Sequence, residues 1–247
     1  MNFLLTNDDG INSSGIFYLK KYLSDIGKVI IITPDRERSA TGHALTLNHP
    51  VRIKNISEDV YVSDGTPADC VNIAVQKILS CPPDIIISGI NPSPNLGDDV
   101  TYSGTVAAAM EGTLLSIPSI SISTLNGTNY EFEFAAKIIL QIIPFVKKIG
   151  LPQDTFLNIN VPDNPQGIVI TKLGRKFTRE KIIKRIDPRG NEYFWIGIKS
   201  PIPINTQDTD VEAIHNHLIS ITPLNLDFTD YKFITSLKKW NLKVNFT

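Results

Sequence analysis

The sequence predicts an α/β protein built on a mostly parallel sheet, and three patterns along its 247 residues support this prediction. Strand-like apolar runs alternate with segments of helical period from Met1 to about Val161. Some runs are nearly continuous, such as Val29-Ile30-Ile31-Ile32, which is typical of strands buried on both faces of a parallel sheet. Polar clusters follow three of the predicted strands. Strict alternation of this kind implies right-handed crossovers and a doubly wound, Rossmann-like sheet.

Composition bounds the size and the surroundings of the protein. The length suits one large α/β domain, or one domain with a small appendage. A net charge of −1 gives no overall bias toward nucleic acid or a membrane surface. No apolar stretch approaches the length of a membrane span, and Asp8 and Asp9 interrupt the first apolar run. Cys70 and Cys81 match no disulfide framework or zinc motif, so we expect a soluble, cytoplasmic protein with reduced thiols.

The first three elements are predicted to form a βαβ unit. Residues 3–6 are an apolar strand too short for a helix, and the second strand is the β-branched run that ends at Pro34. The buried face of the helix between them is marked by Ile16, Leu19 and Leu23. The polar, glycine-containing residues 34–43 then form a loop, and residues 44–63 are expected to contain short β segments.

Thr66-Pro67-Ala68-Asp69 predicts the start of the next helix, because the threonine can cap, the proline suits the first turn and the aspartate completes a capping box. A buried strand follows at residues 84–88 and leads to Asn91. The next helix begins after Ser103-Gly104-Thr105. The remaining elements of this half are a strand at 119–123, a helix through 134–145 and a strand at 156–161.

After Pro162 the alternation is lost, so we divide the chain into a core, residues 1–162, and a C-terminal extension, residues 163–247. The extension is predicted to hold a hairpin-like arm around Tyr193-Phe194-Trp195-Ile196, closed by Pro201 and Pro203. The aromatic residues of the arm indicate contact with a partner subunit. A short helix opening at Thr209-Asp210-Val211-Glu212, a strand at 219–222 and a terminal helix at 231–240 complete the chain.

Candidate metal ligands lie at the predicted carboxyl ends of three strands, where ligands bind in doubly wound sheets. These residues are Asp8, Asp9, Ser39 and Asn91. Two carboxylates about 4 Å apart repel by roughly 4 kcal/mol at an effective dielectric near 20, and a bound cation reverses that effect. Oxygen donors suit Mg²⁺ or Mn²⁺, which polarises a phosphoryl oxygen and lowers the pKa of a bound water. The alternative is that residues 7–10 form only a turn and Ser39 is a loop hydroxyl.

Other polar residues are candidates for contact with an anion or for proton transfer. The helix start at Ser103-Gly104-Thr105 would direct its first amides at an anion, or would be an ordinary cap. Asn95 would donate to the same anion or serve as a turn residue. His43 would protonate a leaving alkoxide or lie on the surface. His215 and His217 are expected to share one face of a strand and to be solvated.

A basic stretch lies at the start of the extension. Eight lysines and arginines stand between positions 172 and 189, against Glu180 and Asp187. This local excess of positive charge would either steer phosphorylated substrates, RNA or polyphosphate, or form a solvated hairpin face.

Six motifs in order along nearly the whole chain resemble those of the SurE family of survival-protein phosphatases, the 5′/3′-nucleotidases. These motifs are Thr6-Asn7-Asp8-Asp9-Gly10-Ile11, Pro34-Asp35-Arg36-Glu37-Arg38-Ser39-Ala40-Thr41-Gly42-His43, Gly65-Thr66-Pro67-Ala68-Asp69-Cys70-Val71, Ser88-Gly89-Ile90-Asn91, Tyr102-Ser103-Gly104-Thr105-Val106 and Ser220-Ile221-Thr222-Pro223-Leu224. The sequence departs from the family pattern at Ser93, where the family has glycine, and at His217-Leu218, where it has glycine and an aromatic residue.

The resemblance implies a phosphomonoesterase that hydrolyses nucleoside 5′- and 3′-monophosphates to nucleoside and phosphate by attack of a metal-bound water, with a side activity on polyphosphate. It implies one divalent cation, Mg²⁺ or Mn²⁺, per subunit, and a homodimer or homotetramer that exchanges its C-terminal extension. Nucleic acid is expected only as a short phosphorylated substrate. The resemblance places catalysis on Asp8 and Asp9. It places the metal ligands on Asp8, Asp9, Ser39 and Asn91, and the phosphate contacts near Asn95, Ser103, Gly104 and Thr105.

Three other functions are open at this point. A signalling receiver domain also binds Mg²⁺ through an acidic pair, but it has about half this length. A phosphatase with an aspartyl-phosphate intermediate would have Asp-x-Asp after the first strand, where this chain has Asp8-Asp9-Gly10. A nucleotide-binding module without catalysis would release no phosphate from AMP.

Overall fold

The computed structural model describes residues 1–175, 181–197 and 207–240. The strands, in chain order, are β1 (Asn2–Thr6), β2 (Lys28–Pro34), β3 (Ile53–Ser57), β4 (Val60–Ser63), β5 (Ile85–Asn91), β6 (Ser119–Thr124), β7 (Thr155–Val161), β8 (Gly167–Ile170), β9 (Lys181–Ile186), β10 (Glu192–Gly197) and β11 (Leu218–Asn225). The helices are α1 (Ser14–Leu23), α2 (Pro67–Ile73), α3 (Gly104–Leu114), α4 (Asn129–Ile149), α5 (Asp210–His215) and α6 (Tyr231–Leu237). Shorter helical turns are Ala74–Ile78, Gly97–Thr101 and Lys238–Trp240.

Within these described ranges, nine strands form one sheet in the order β3-β4-β2-β1-β5-β6-β7-β11-β8. The run from β4 to β7 is parallel throughout, β3 is antiparallel to β4, and β11 is antiparallel to β7 but parallel to β8. The chain builds one side of the sheet from β1 through β2 to β4 and the other from β5 through β6 to β7. The strand order therefore reverses between β1 and β5. These features confirm the predicted mostly parallel α/β fold, and the reversal is where such sheets bind ligands.

Helices cover both faces of the sheet, and the side chains of β1 alternate between them. Phe3 and Leu5 pack with α1 and α4 in the larger core cluster. Leu4 packs on the other face with residues of α2 and α3. All three side chains are fully buried. Burial on both faces explains why the strands have continuous apolar runs instead of alternating ones.

Local signals set the start of α2 as predicted. Thr66 Oγ1 accepts a hydrogen bond from the Asp69 N–H at 3.1 Å, and Asp69 Oδ2 accepts one from the Thr66 N–H at 2.8 Å. This reciprocal pair is the predicted capping box, with Pro67 in the first turn. Two N–H groups that the helix itself leaves unpaired are satisfied, so the helix begins at this point.

The C-terminal extension adds strands to the sheet of the core. β11 pairs with β7 along Ser220–Asn225, and β8 lies beyond β11 at the edge. β9 and β10 form a separate antiparallel hairpin where the arm was predicted. Pro201 and Pro203, which were predicted to close the arm, lie outside the described residues, as do Lys176, Arg179 and Glu180 of the basic stretch. The division at residue 162 stays a prediction.

Two predictions about local structure are wrong. His215 and His217 do not share a strand face, because α5 continues to His215 and His217 lies in a turn with φ of 54° before β11 begins. His217 Nδ1 instead lies 3.1 Å from Asp163 Oδ1. Residues 44–52 also form no strand, and the predicted β segments are confined to β3 and β4. Proline at position 50 removes a backbone donor there.

Among the described helices, none has both the length and the apolar character needed to cross a membrane.

Candidate active site at the strand ends

The turn that follows β1 is held rigidly by Asn7. The fully buried Asn7 side chain donates from Nδ2 to the Gly10 carbonyl and accepts from the Gly10 N–H, both at 3.1 Å. Gly10 has φ of 87°, and a Cβ there would lie 2.9 Å from the Arg36 carbonyl carbon. Glycine is therefore required at this position. The two intervening aspartates are fixed at the carboxyl end of the strand.

Asp8 is enclosed by the start of α3. Asp8 is only 5% exposed, and its Oδ1 accepts a hydrogen bond from Thr105 Oγ1. Gly104 packs so closely that a Cβ there would lie 2.7 Å from Asp8 Cβ. Burial raises the pKa of Asp8, and the hydrogen bond from Thr105 opposes that shift. The first turn of α3 therefore determines where this carboxylate lies.

Asp9 has a buried oxygen atom with no hydrogen-bond partner among the described residues, namely Oδ2. The pKa of Asp9 is raised to about 7, mainly by burial and further by the nearby carboxylates of Asp8 and Glu37. A buried acceptor without a partner is costly, typically by about 1–3 kcal/mol. Among the described residues, neither aspartate forms an ion pair with a lysine, arginine or histidine side chain.

A cavity of about 320 Å³ lies next to these aspartates. Its lining residues are Asp8, Asp9, Glu37, Ser39, Ala40, Asn91, Pro92, Ser93, Pro94, Asn95, Asp99, Tyr102 and Ser103. The structure therefore brings together all four candidate metal ligands and two of the candidate phosphate contacts. Gly104 and Thr105 are not among the lining residues, but both contact Asp8.

The hydrogen bonds of Ser39 and Asn91 leave oxygen lone pairs for a cation. Ser39 Oγ donates to Glu37 Oε1 at 2.7 Å, so its own lone pairs are not consumed. Asn91 Nδ2 donates to the Ser93 carbonyl at 2.5 Å, which fixes the amide plane and leaves Oδ1 as the acceptor. Although Ser93 departs from the family pattern, its backbone carbonyl thus orients the side chain of Asn91, a candidate metal ligand.

Asn95 is anchored in a buried polar network on β6 and β7. Its N–H donates to Asn160 Oδ1 at 2.8 Å, and its carbonyl accepts from Asn158 Nδ2 at 2.9 Å and Asn160 Nδ2 at 3.1 Å. Its own Nδ2 donates to Ser123 Oγ at 2.9 Å. One of the two amide hydrogens of the Asn95 side chain therefore already donates to a protein acceptor, and the other can donate to an anion.

His43 is not among the residues that line the cavity. Its Nε2 lies 2.8 Å from Glu111 Oε2, and Glu111 Oε1 accepts from Asn72 Nδ2 at 2.5 Å. Glu111 stands seven residues after the first residue of α3, Gly104, which corresponds to about 10 Å along the helix. The structure does not bring His43 to the aspartate pair, and its role as general acid stays a prediction.

Several residues of the cavity wall were not predicted as site residues from the sequence, and three of them, Glu37, Asp99 and Tyr102, carry acidic or phenolic side chains. Glu37 precedes Ser39 by two residues, and Asp99 and Tyr102 lie in or directly after the helical turn Gly97–Thr101. The strand-end argument that selected Ser39 applies equally to Glu37. Asp99 and Tyr102 carry no comparable signal, because their position depends on how the long segment after β5 folds back across the rim.

The candidate donor set contains few charged groups. In the described parts of the chain, groups of three or more His, Cys, Asp and Glu side chains placed to hold one metal ion are absent. Two carboxylates together with a hydroxyl and an amide oxygen would provide only part of an octahedral shell. Such a set suits a cation that keeps water or substrate oxygens, as Mg²⁺ does.

The chain is similar over nearly its full length to proteins of one family. The family model described as "Survival protein SurE" matches residues 3–180. A protein from Geobacter sulfurreducens named 5′-nucleotidase SurE is 47% identical, over 98% of this chain and 94% of its own length. One of the same name from Coxiella burnetii is 44% identical, over 97% of this chain and 95% of its own. The crystal structure of the SurE protein from Aquifex aeolicus superposes with a TM-score of 0.86 at 43% identity, over 97% of this chain and 99% of that chain.

Proposed function

The chain belongs to the survival protein SurE family, and on that premise we propose that it hydrolyses nucleoside monophosphates in the strand-end cavity with the help of one divalent cation. The family assignment makes the chain a 5′-nucleotidase, that is, a phosphoric monoester hydrolase. The reaction consumes one water and gives a nucleoside and inorganic phosphate. We extend the proposed substrates to nucleoside 3′-monophosphates, with polyphosphate as a side substrate.

One observation carries the proposal. Asp8, Asp9, Ser39 and Asn91 come from three separate segments of the chain, and they line a single cavity at the carboxyl ends of β1, β2 and β5. The cavity lies where the strand order of the sheet reverses, which is the usual ligand position in this architecture. Side chains chosen from the sequence for their oxygen atoms thus share one space large enough for a phosphate group.

The residues of the cavity fit a cation that prefers oxygen ligands. Asp9 Oδ2 is buried without a partner in the described structure, and the Asn91 side chain presents its oxygen. We propose Asp8, Asp9, Ser39 and Asn91 as the ligands of Mg²⁺ or Mn²⁺. When bound, such a cation supplies Lewis-acid polarisation of a phosphoryl oxygen. The chain itself contributes the fixed position of Asp8, which Thr105 and Gly104 set from α3.

The start of α3 is proposed to bind the phosphate group of the substrate. Ser103 lines the cavity, and its Oγ accepts from the Val106 N–H at 3.1 Å, so the hydroxyl hydrogen can donate elsewhere. A helix N-terminus carries partial positive charge that favours an anion. Asn95 contributes its second side-chain N–H. These donors would stabilise negative charge on the phosphoryl oxygens as the transition state forms.

The proposal includes a homo-oligomer, either a dimer or a tetramer, and a cytoplasmic location. Support for the oligomer comes from the hairpin β9–β10, which exposes Tyr193, Phe194 and Trp195. Large exposed aromatic residues of this kind are typical of interaction surfaces. The cytoplasmic location is supported by two free cysteines, since Cys70 and Cys81 form no disulfide.

A phosphate-release assay tests the proposed function. Wild-type protein is incubated with AMP, 3′-AMP and tripolyphosphate in the presence of Mg²⁺, Mn²⁺ or a chelator. We expect release from the nucleotides with metal and loss of release with the chelator. Asp8→Asn should lower kcat by about a hundredfold or more, because a neutral amide replaces a charged ligand. Calorimetric titration with Mn²⁺ should show weaker binding in the same variant.

Asp98→Asn is the matched control, because Asp98 is an exposed aspartate near the cavity that does not line it. It should behave as wild type in both measurements. Wild-type rates and Mn²⁺ binding in Asp8→Asn would contradict the metal assignment. Absence of phosphate release by the wild type with every metal and nucleotide would contradict the enzyme and favour a binding module.

A further inference from the structure

The buried carboxylate of Asp210 joins the cavity wall to the C-terminal extension. Asp210 is 0% exposed although it is the first residue of the short helix α5. Its Oδ2 accepts a hydrogen bond from the Gly97 N–H at 2.8 Å, across 113 positions of sequence. Its Oδ1 accepts from the Gly174 N–H at 2.7 Å and from the Val211 N–H at 2.8 Å. The carboxylate thus connects three separate backbone segments.

Gly97 lies in the middle of the segment that forms one wall of the cavity, residues 95–103. Asn95 at its start is fixed by the polar network of β6 and β7. At its other end, Tyr102 and Ser103 line the cavity, and the Tyr102 carbonyl accepts from the Gly42 N–H at 2.9 Å in the loop that carries Ser39. The contact with Asp210 therefore fixes the point at which the segment turns back toward the cavity.

The extension holds Asp210 in place on the opposite side. The Lys172 N–H donates to the Asp208 carbonyl, and the Asp210 N–H donates to the Lys172 carbonyl, both at 3.0 Å. Gly174 approaches so closely that a Cβ there would lie 2.8 Å from Val211 Cγ2 and 3.1 Å from Asp210 Oδ1. The position of the carboxylate is thus set by α5 and by the segment after β8 that contains Lys172 and Gly174, independently of the cavity.

We infer that Asp210 is a positioning residue for the nucleotidase reaction, acting through the Gly97 N–H on the wall that presents Asn95 and Ser103 to the phosphate. The inference rests on the proposed function. A buried charge is retained at a cost unless its hydrogen bonds compensate for lost solvation. Of the bonds that the described residues make to this carboxylate, those from Gly97 and Gly174 reach outside its own helix. A residue that served only to begin α5 would have no need of the Gly97 and Gly174 amides.

Asp210→Asn is the variant that tests this inference. The amide keeps one acceptor oxygen but places an NH₂ group against either the Gly97 or the Gly174 N–H, so one of these bonds is lost. We expect kcat/KM for AMP to fall about tenfold and the inhibition constant of inorganic phosphate to rise by a similar factor. Amide hydrogen exchange should quicken in the peptide that covers residues 95–103.

Two further variants separate positioning from stability. Asp230→Asn removes the carboxylate that accepts the Phe233 N–H at the start of α6, so it repeats the chemical change at a helix start without contact to Gly97. It should leave the three measurements as in wild type. Gly174→Ala displaces the Asp210 carboxylate from the extension side, and it should change the same measurements in the same direction. This second variant decides the question if Asp210→Asn does not fold.

The outcomes distinguish this inference from the proposed function. An active wild type with unchanged kcat/KM, phosphate inhibition and local exchange in folded Asp210→Asn, or in Gly174→Ala, overturns the positioning role alone. A wild type that releases no phosphate overturns the proposed function, and the positioning role in that reaction is overturned with it. A lower melting temperature with wild-type phosphate inhibition in the folded variant also overturns positioning, because it shows a purely structural effect.

Discussion

Individual buried carboxylates in this protein are compensated in different ways. Asp9 has a buried oxygen without a partner among the described residues, whereas Glu111 is hydrogen bonded to both His43 and Asn72. Burial by itself would raise the pKa of Glu111, but the hydrogen bonds from His43 and Asn72 outweigh it and the pKa is lowered. The same chemical group is therefore left without a partner for one oxygen at the strand ends, whereas inside α3 its hydrogen bonds hold it in the ionised form.

Glu111→Gln should destabilise the protein in a pH-dependent way. Because the folded-state pKa of Glu111 lies below its ordinary value of 4.5, its ionisation stabilises the fold above that value. The contribution is lost as the pH falls through the lower, folded-state pKa. The difference in unfolding free energy between wild type and variant should therefore shrink between about pH 5.5 and about pH 3.5. Urea denaturation at both pH values measures it, and a difference that grows on acidification would contradict the assignment.

The candidate site could be predicted from sequence where short-range signals sufficed. Asp8 and Asp9 come just after β1 and Asn91 is the last residue of β5, so the strand-end rule locates them without knowledge of the fold. The anchoring of Asn95 by Asn158 and Asn160 could not be found in this way, because both residues lie more than sixty positions from Asn95 in the sequence. They meet only after β7 has joined the sheet.

At the scale of elements, the start of α3 determines the geometry of the aspartate pair. Ser103 caps the helix, Gly104 allows the close approach to Asp8, and Thr105 donates to that carboxylate. Three consecutive residues thus have three different physical roles. The sequence predicted a helix start that faces an anion, and the structure adds that the first anionic group it contacts is Asp8 of the protein itself.

Gly104→Ala should damage the site more than it damages the fold. The new Cβ would lie 2.7 Å from Asp8 Cβ and 2.9 Å from Asp8 Oδ2, so the carboxylate or the helix must shift. We expect kcat/KM for AMP to fall about tenfold or more and Mn²⁺ binding to weaken. Assays of phosphate release and calorimetric titration measure these effects.

Gly112→Ala is the control within the same helix. A Cβ at Gly112 would lie 2.3 Å from Ser119 Oγ and 2.7 Å from Ile86 Cδ1, which are core atoms away from Asp8. Overpacking there should lower the unfolding free energy by about 1–3 kcal/mol and leave the kcat/KM of the folded protein unchanged. Equal kinetic losses in both variants would show that helix placement in general, and not contact with Asp8, matters.

Elements also differ in how far their sequence determines them. The strands β1, β2 and β5 are predicted correctly, because continuous apolar runs bounded by polar turns leave few alternatives. The pairing of β11 with β7, and of β8 with β11, is not visible in the sequence. The antiparallel pairing joins a strand of the core, β7, to a strand of the C-terminal extension, β11, and no local periodicity specifies that contact.

At the scale of the whole molecule, the hairpin β9–β10 pairs with no strand of the main sheet in the described structure. Its side chains on both faces are largely exposed, including Phe194 and Trp195. An isolated two-stranded hairpin is at best marginally stable in water, so a further surface is needed to keep it folded. A second copy of the chain provides that surface in the proposed homo-oligomer.

The double variant Phe194→Ser/Trp195→Ser should therefore shift the protein toward the 27.4 kDa monomer, because Trp195 is 63% exposed in the isolated chain and would lose its apolar contact with a partner. Light scattering after size-exclusion chromatography measures the mass. The control Phe145→Ser/Ile149→Ser removes comparably exposed apolar groups from α4, Phe145 being 65% exposed, and should keep the wild-type mass.

A wild type that is already monomeric, or a hairpin variant with the wild-type oligomeric mass, would show that the hairpin is not the interface. Dissociation with unchanged kcat/KM per chain would further show that the strand-end site is complete within one subunit.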